Sequence, residues 1–141
     1  MYQHAVKLLR RRDYTIEQLR QKLEEKFGDV PQEIITRLSE KRFLDDRRYA
    51  ENVVSKIKDT HPSRVLADLI HAGVPREIAD KAIASRHWPS LPDVLKATMN
   101  VWRLHPPLER REAARLFRAL SRLGYEEEEI REELERLHEQ Y

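Results

Sequence analysis

Apolar residues recur at three- and four-residue spacing along nearly the whole chain, in short runs cut by glycine, proline and capping residues. This is the period of amphipathic helices, and no window alternates apolar and polar for the length of a strand. From Gln3 to Arg12 a short helix is predicted with Ala5, Leu8 and Leu9 on one face. Thr15-x-x-Gln18 has the form of a capping box, and Ile16, Leu19, Leu23 and Phe27 continue it as a stripe. Gly28 and Asp29 end that helix. Val30-Pro31 opens the next, with Ile34, Ile35 and Leu38 inward.

A second round follows. One helix opens at Asp45 and runs to about Asp59, with Tyr49, Ala50, Val53, Val54 and Ile57 on its buried face. Another starts at Pro62 with Val65, Leu66, Leu69 and Ile70 inward. Gly73 ends it, and Val74-Pro75 starts a helix carrying Ile78, Ala79, Ala82 and Ile83. After the break Trp88-Pro89-Ser90-Leu91-Pro92 a third round places Val94, Leu95, Thr98, Val101 and Trp102 on one helix. It places Ala113, Leu116, Phe117, Leu120 and Leu123 on the next, and Ile130, Leu134 and Leu137 on the last.

The rounds superimpose. Leu19 and Leu23, Val65 and Leu69, and Leu116 and Leu120 each precede a glycine turn, then an apolar residue and, three positions on, a glutamate (Glu33, Glu77, Glu128). The periods are unequal, 46 residues from Leu23 to Leu69 and 51 from Leu69 to Leu120, and the first turn is two residues longer than the others. The expected architecture is all-α: three tandem three-helix repeats, residues 1–43, 44–88 and 89–141, in an elongated, curved array. Each unit is too small for much core of its own, so neighbours should share their stability.

Composition changes this picture little, and charge changes it more. At 141 residues, 37% charged and 40% hydrophobic, the chain has a modest core. There is no cysteine, hence no disulfide framework, thiol nucleophile or Cys-ligated zinc. No stretch approaches a bilayer-crossing length, and Met-Tyr-Gln-His-Ala-Val-Lys lacks the apolar core of a signal peptide, so the expected compartment is the cytoplasm, with no membrane partner. Eight acidic residues stand against two arginines from Tyr125 to Tyr141, which leaves the preceding body clearly basic. A basic body calls for an anionic partner, and an acidic end can dock on a basic protein surface.

The octet Phe43-Leu-Asp-Asp-Arg-Arg-Tyr-Ala50 opens the second round. Leu44 suits a hydrophobic staple, Asp45 an N-cap, and Asp46 the positive end of the helix dipole. The run Leu44, Asp45, Asp46, Tyr49, Ala50 resembles the signature of the RecX family, bacterial regulators of the recombinase RecA. Thr15, Leu19 and Leu23 match that family's Ser/Thr-x-x-x-Leu-x-x-x-Leu helix. Arg115 to Tyr125 matches its Arg-x-x-Arg-apolar-Gly-aromatic segment. The likeness covers nearly the whole chain. It departs at Gly28-Asp29, at Pro62 and at the proline-rich break before the third round, which bears on local loop geometry. The resemblance implies a regulator of recombination, DNA repair and the SOS response. Such a protein binds in the groove of the RecA–DNA filament and inhibits its ATPase, strand-exchange and coprotease activities. Within that reading the signature is mainly structural.

No catalytic constellation is legible. The six histidines are scattered, and Asp68-x-x-His71 and Glu135-x-x-His138 each offer two ligands where a carboxylate bundle site needs more. No phosphate loop or nucleophile elbow occurs. The expectation is therefore no enzyme, no metal and no cofactor. The chemical surface that stands out is basic. Arg111, Arg115, Arg118 and Arg122 form a narrow helical stripe opposite Leu116, Leu120 and Leu123. Lys7, Arg10 and Arg11 make a smaller cluster, and Arg42, Arg47 and Arg48 flank the signature. Arginine suits phosphate because its planar fork donates two parallel bonds to one anion. Two readings follow: a monomeric chain clamping across RecA protomers of a filament on DNA, with weak direct contact to single- or double-stranded DNA, or an autonomous, sequence-independent DNA-binding helical protein. For the Arg111–Arg122 stripe, a solvated face paired with the neighbouring acidic helix is the competing interpretation. Tyr49, Trp102 and Phe117 are expected in the core rather than as stacking platforms.

Overall fold

In the computed structural model, which describes residues 1–139, nine α-helices and no strand occur among the described residues. They are α1 Tyr2–Arg11, α2 Ile16–Phe27, α3 Gln32–Glu40, α4 Asp46–Lys56, α5 Pro62–His71, α6 Arg76–Ala84, α7 Leu91–Trp102, α8 Arg110–Arg122 and α9 Glu127–Glu139. Gln140 and Tyr141, which the sequence places at the end of the acidic segment, lie outside the described residues. None of these helices is long and apolar enough to cross a membrane.

Local signals explain where the helices begin. The Thr15 hydroxyl accepts from Gln18 N–H while the Gln18 side chain accepts from Thr15 N–H, a complete capping box. Asp45 caps α4 by accepting from Arg48 N–H, and Ser90 caps α7 by accepting from Asp93 N–H. Pro31 and Pro75 are the N-cap residues of α3 and α6, one position earlier than the favoured first helical turn.

The helices pack as two units. The first comprises Met1–Ile57 and Val65–Arg86, and the second Lys58–Arg64 and the chain from His87 on. In the first, Ala5, Tyr14, Leu19, Leu23, Ile35, Leu38 and Leu44 form a buried cluster. There α4 and α6 pack closely, and their buried side chains are short, Ala50 and Val54 on one and Ala79 and Ala82 on the other. The Arg86 guanidinium donates to the carbonyls of Val54 and Ile57, closing the C-terminal end of α4 where the helix dipole is negative. In the second unit Leu91, Val94, Leu95, Met99, Leu108, Leu116, Leu120, Tyr125 and Ile130 form the core.

Four expectations need correction. Phe27 and Ile70, expected inward, are each 41% exposed. Val101, expected on the inner face of α7, is 76% exposed, and Met99 is buried instead. Tyr49, expected in the core, is half-buried and belongs to neither buried cluster. Of the α4 face, only Ala50 and Val54 are fully covered.

A turn contact occurs in each unit in a parallel form. In the first, Thr15 at the start of α2 donates its hydroxyl to the Ala72 carbonyl at 2.6 Å. Beside it Gly73 (φ +102°) lies so near that an added Cβ would stand 2.6 Å from the Glu17 Cβ. In the second, His61 at the start of α5 donates its backbone N–H to Leu123 O at 2.8 Å. There Gly124 (φ +98°) would bring a Cβ to 2.7 Å from the Arg64 Cβ. The two helix starts, Thr15 and His61, lie 46 residues apart, the spacing of Leu23 and Leu69.

Candidate nucleic-acid interface

Amphipathic α8 positions the arginine row. Leu116 and Leu120 are fully buried in the core of the second unit, which forces the opposite face outward. Arg111, Arg115, Arg118 and Arg122 are all exposed there, and Arg110 stands beside them. Arg115 lies over the Trp102 indole, 3.9 Å from the ring centroid. Arg111 approaches Glu109 at 4.0 Å, both side chains being largely in solvent, an attraction of little worth. The side chains of Arg118 and Arg122 have no carboxylate partner among the described residues.

Acidic α9 packs against α8, and its ion pairs among the described residues lie within α9 itself. Glu127 and Glu128 pair with Arg131, and Glu133 with Arg136. Each is a three- or four-residue spacing along one helix, where side chains are surface neighbours. Among the described residues no carboxylate of α9 forms an ion pair with an arginine of the row. At 1.5 Å rise per residue, Arg111 to Arg122 extends over about 16 Å.

The other candidate cations separate into committed and free. Arg48 is half-buried and structural: its guanidinium donates to Arg42 O at 2.7 Å and Phe43 O at 3.3 Å, with Asp13 at 3.9 Å. Arg47 is exposed and pairs with Glu51 at 3.1 Å. Lys7, Arg10 and Arg11 are exposed without an ion pair among the described residues. Nearby His4 is held below its ordinary value, by desolvation first and then by the charges of Lys26 and Lys7. These belong to the first unit and the α8 row to the second.

Within the signature, Leu44 and Ala50 are buried and Asp45 is the cap. Asp46 does more than its charge suggested. It is 7% exposed and its Oδ1 accepts from Ile16 N–H at 2.9 Å, so it serves the start of α2. Burial raises its pKa, the Ile16 bond opposes that, and Asp45 adds to it. Sequence missed this contact and the Arg115–Trp102 stack, because both join distant segments and leave no local spacing to detect. Neither a three-member cluster of potential metal ligands nor an unpartnered buried polar side chain occurs among the described residues. A cleft of about 400 Å³ lies between α7, α9 and the 104–106 loop, floored by Leu95, Met99, Leu104 and Leu137 and edged by Lys96 and His105.

No family model matches the chain. Curated proteins do. A regulatory protein RecX of Trichlorobacter lovleyi is 34% identical over 87 residues, 58% of this chain and 56% of that protein. The regulatory protein RecX of Thermus thermophilus is 34% identical over 82 residues, 57% of this chain and 58% of that protein. These relatives are named regulatory protein RecX. The matched stretch spans just over half the length of those curated relatives. The crystal structure of RecX from Lactobacillus salivarius shares the fold, with a TM-score of 0.66 over 95% of this chain and 94% of that one at 19% identity. RecX likeness thus extends in sequence over part of the chain and in fold over nearly all of it.

Proposed function

We propose that the chain is a non-enzymatic regulator of homologous recombination and DNA repair that binds the RecA filament on DNA and restrains its ATPase, strand-exchange and coprotease activities. The likeness to proteins named regulatory protein RecX supports the role. The observation that carries the contact is the row of exposed arginines on α8, which among the described residues form no ion pair with the acidic helix beside it. Such a row attracts phosphate by charge and by planar donor geometry, without reading sequence. Three tandem three-helix repeats acting as a monomer suit a filament, because several weak contacts along a repeating partner combine through effective concentration.

The same arginines favour a second reading, an autonomous DNA-binding protein. Sedimentation with RecA filaments assembled on single-stranded DNA with a non-hydrolysable ATP analogue separates the two. The chain should pellet with the filament more strongly than with the same DNA alone. Equal association with bare DNA and with filament would favour the autonomous reading.

A further inference from the structure

We propose that Arg115 and Trp102 form a nucleobase-stacking subsite, so that the α8 face takes single-stranded nucleic acid through its bases as well as its phosphates. This rests on the reading of the arginine row as a phosphate contact and adds a second chemistry to it.

The geometry is specific. Trp102 at the end of α7 is half-buried and packs against the core of the second unit, so its indole is held in place. Arg115 lies in van der Waals range over that ring at 3.9 Å, which orders an otherwise flexible side chain. The indole lies against one side of the guanidinium, and Arg115 is exposed and lacks a carboxylate partner among the described residues, which leaves it accessible to a base. Unstacked bases of single strands pack on aromatic rings and on arginine planes alike. Arg111 and Arg118, one turn to either side, are placed for the flanking phosphates.

Arginine also stacks on Tyr14 through Arg12 and on Tyr2 through Arg37, each at 4.5 Å. Arg12, however, also donates to the Asp13 carbonyl, and Lys41 shares the Tyr2 ring with Arg37. Arg131 lies over Phe117 of α8 at 5.4 Å, but among the described residues only the Trp102 contact engages an arginine of the α8 row. A duplex keeps its bases stacked on one another, so the subsite distinguishes strands by base availability.

The test uses the full chain carrying Trp88→Phe, which leaves Trp102 as the one remaining tryptophan of the two. Its fluorescence and affinity are measured on oligodeoxythymidylate and on an abasic deoxyribose-phosphate strand of equal length. The thymidylate strand should bind at least about fivefold more tightly, the low end of one stacked base, and only that strand should change Trp102 emission. Arg115→Lys keeps the charge but not the plane. It should erase the preference by weakening the thymidylate strand much more than the abasic strand, which loses only the fork geometry at one phosphate, with circular dichroism confirming the fold. Equal binding of both strands with unaltered Trp102 emission overturns the subsite and leaves the phosphate reading standing. Failure to bind either strand overturns both.

Discussion

The buried carboxylate of Asp46 accepts the backbone N–H of Ile16 at 2.9 Å, joining the first residue of α4 to the first residue of α2. One side chain thus satisfies a donor that α2 cannot satisfy for itself. The second aspartate of the signature has a structural task that its position in sequence does not disclose.

Its titration should show. Burial raises the Asp46 pKa more than the Ile16 bond lowers it, so the folded chain holds that proton to a higher pH than the unfolded chain does. Between the ordinary carboxylate value and the raised one, this group's contribution to stability falls as pH rises, and above that window it is constant. Urea unfolding of the wild type and Asp46→Asn across acidic to neutral pH isolates it, because the other carboxylates cancel in the difference. The wild-type stability relative to Asp46→Asn should decline through the window. A relative rise would mean that the hydrogen bond outweighs burial.

Thr15 is fully buried, and its hydroxyl both accepts from Gln18 N–H and donates to Ala72 O. Thr15→Ala loses the cap and strands the Ala72 carbonyl, for a cost of about 2–3 kcal/mol in the combined range of a lost cap and an unsatisfied acceptor. Thr15→Ser keeps both bonds and should recover most of it. Equal losses for the two variants, by urea unfolding, would show that methyl packing and not the hydroxyl matters.

The glycine turns should rank by what lies against them. Gly28 adopts φ +78° and ψ −141° with nothing within 4 Å of an added Cβ, so Gly28→Ala meets only the penalty of a backbone region nearly confined to glycine, about 1–3 kcal/mol. Gly73→Ala and Gly124→Ala carry a positive-φ penalty of their own, at φ +102° and +98°, and also drive a Cβ into the Glu17 and Arg64 side chains near their roots. Both should be clearly less stable than Gly28→Ala in thermal unfolding. A common melting temperature for all three would show that the turns relax freely.

Much of the fold was legible because its signals are local. The capping box at Thr15 and Gln18, the Asp45 cap and the glycine turns each act within a few residues, and the helical period supplies the rest. Val101 and Phe27 show where this stops. Both continue an apolar stripe, yet they stand at the last turn of α7 and α2 and are 76% and 41% exposed. Periodicity assigns a face, not how far a covering neighbour extends along it. In the candidate interface the stripe itself was readable from spacing. That Arg48 is spent on the Arg42 and Phe43 carbonyls, and that Trp102 orders Arg115, depends on tertiary placement.

Replacing Arg111, Arg115, Arg118 and Arg122 with glutamine removes charge while keeping helix propensity. Binding of the wild type to bare DNA should weaken steeply with salt, since each neutralised phosphate releases counterion, and the variant's slope should be flatter. Identical slopes would make the row a solvated face only.

The central claim is regulation of the recombinase filament, and ATP hydrolysis by RecA on single-stranded DNA reads it most directly. Titrating the chain into preformed filaments should lower the hydrolysis rate progressively toward a plateau, with the four-glutamine variant requiring more protein. A rate that stays unchanged at a large excess of the chain, with filaments intact, would contradict the account.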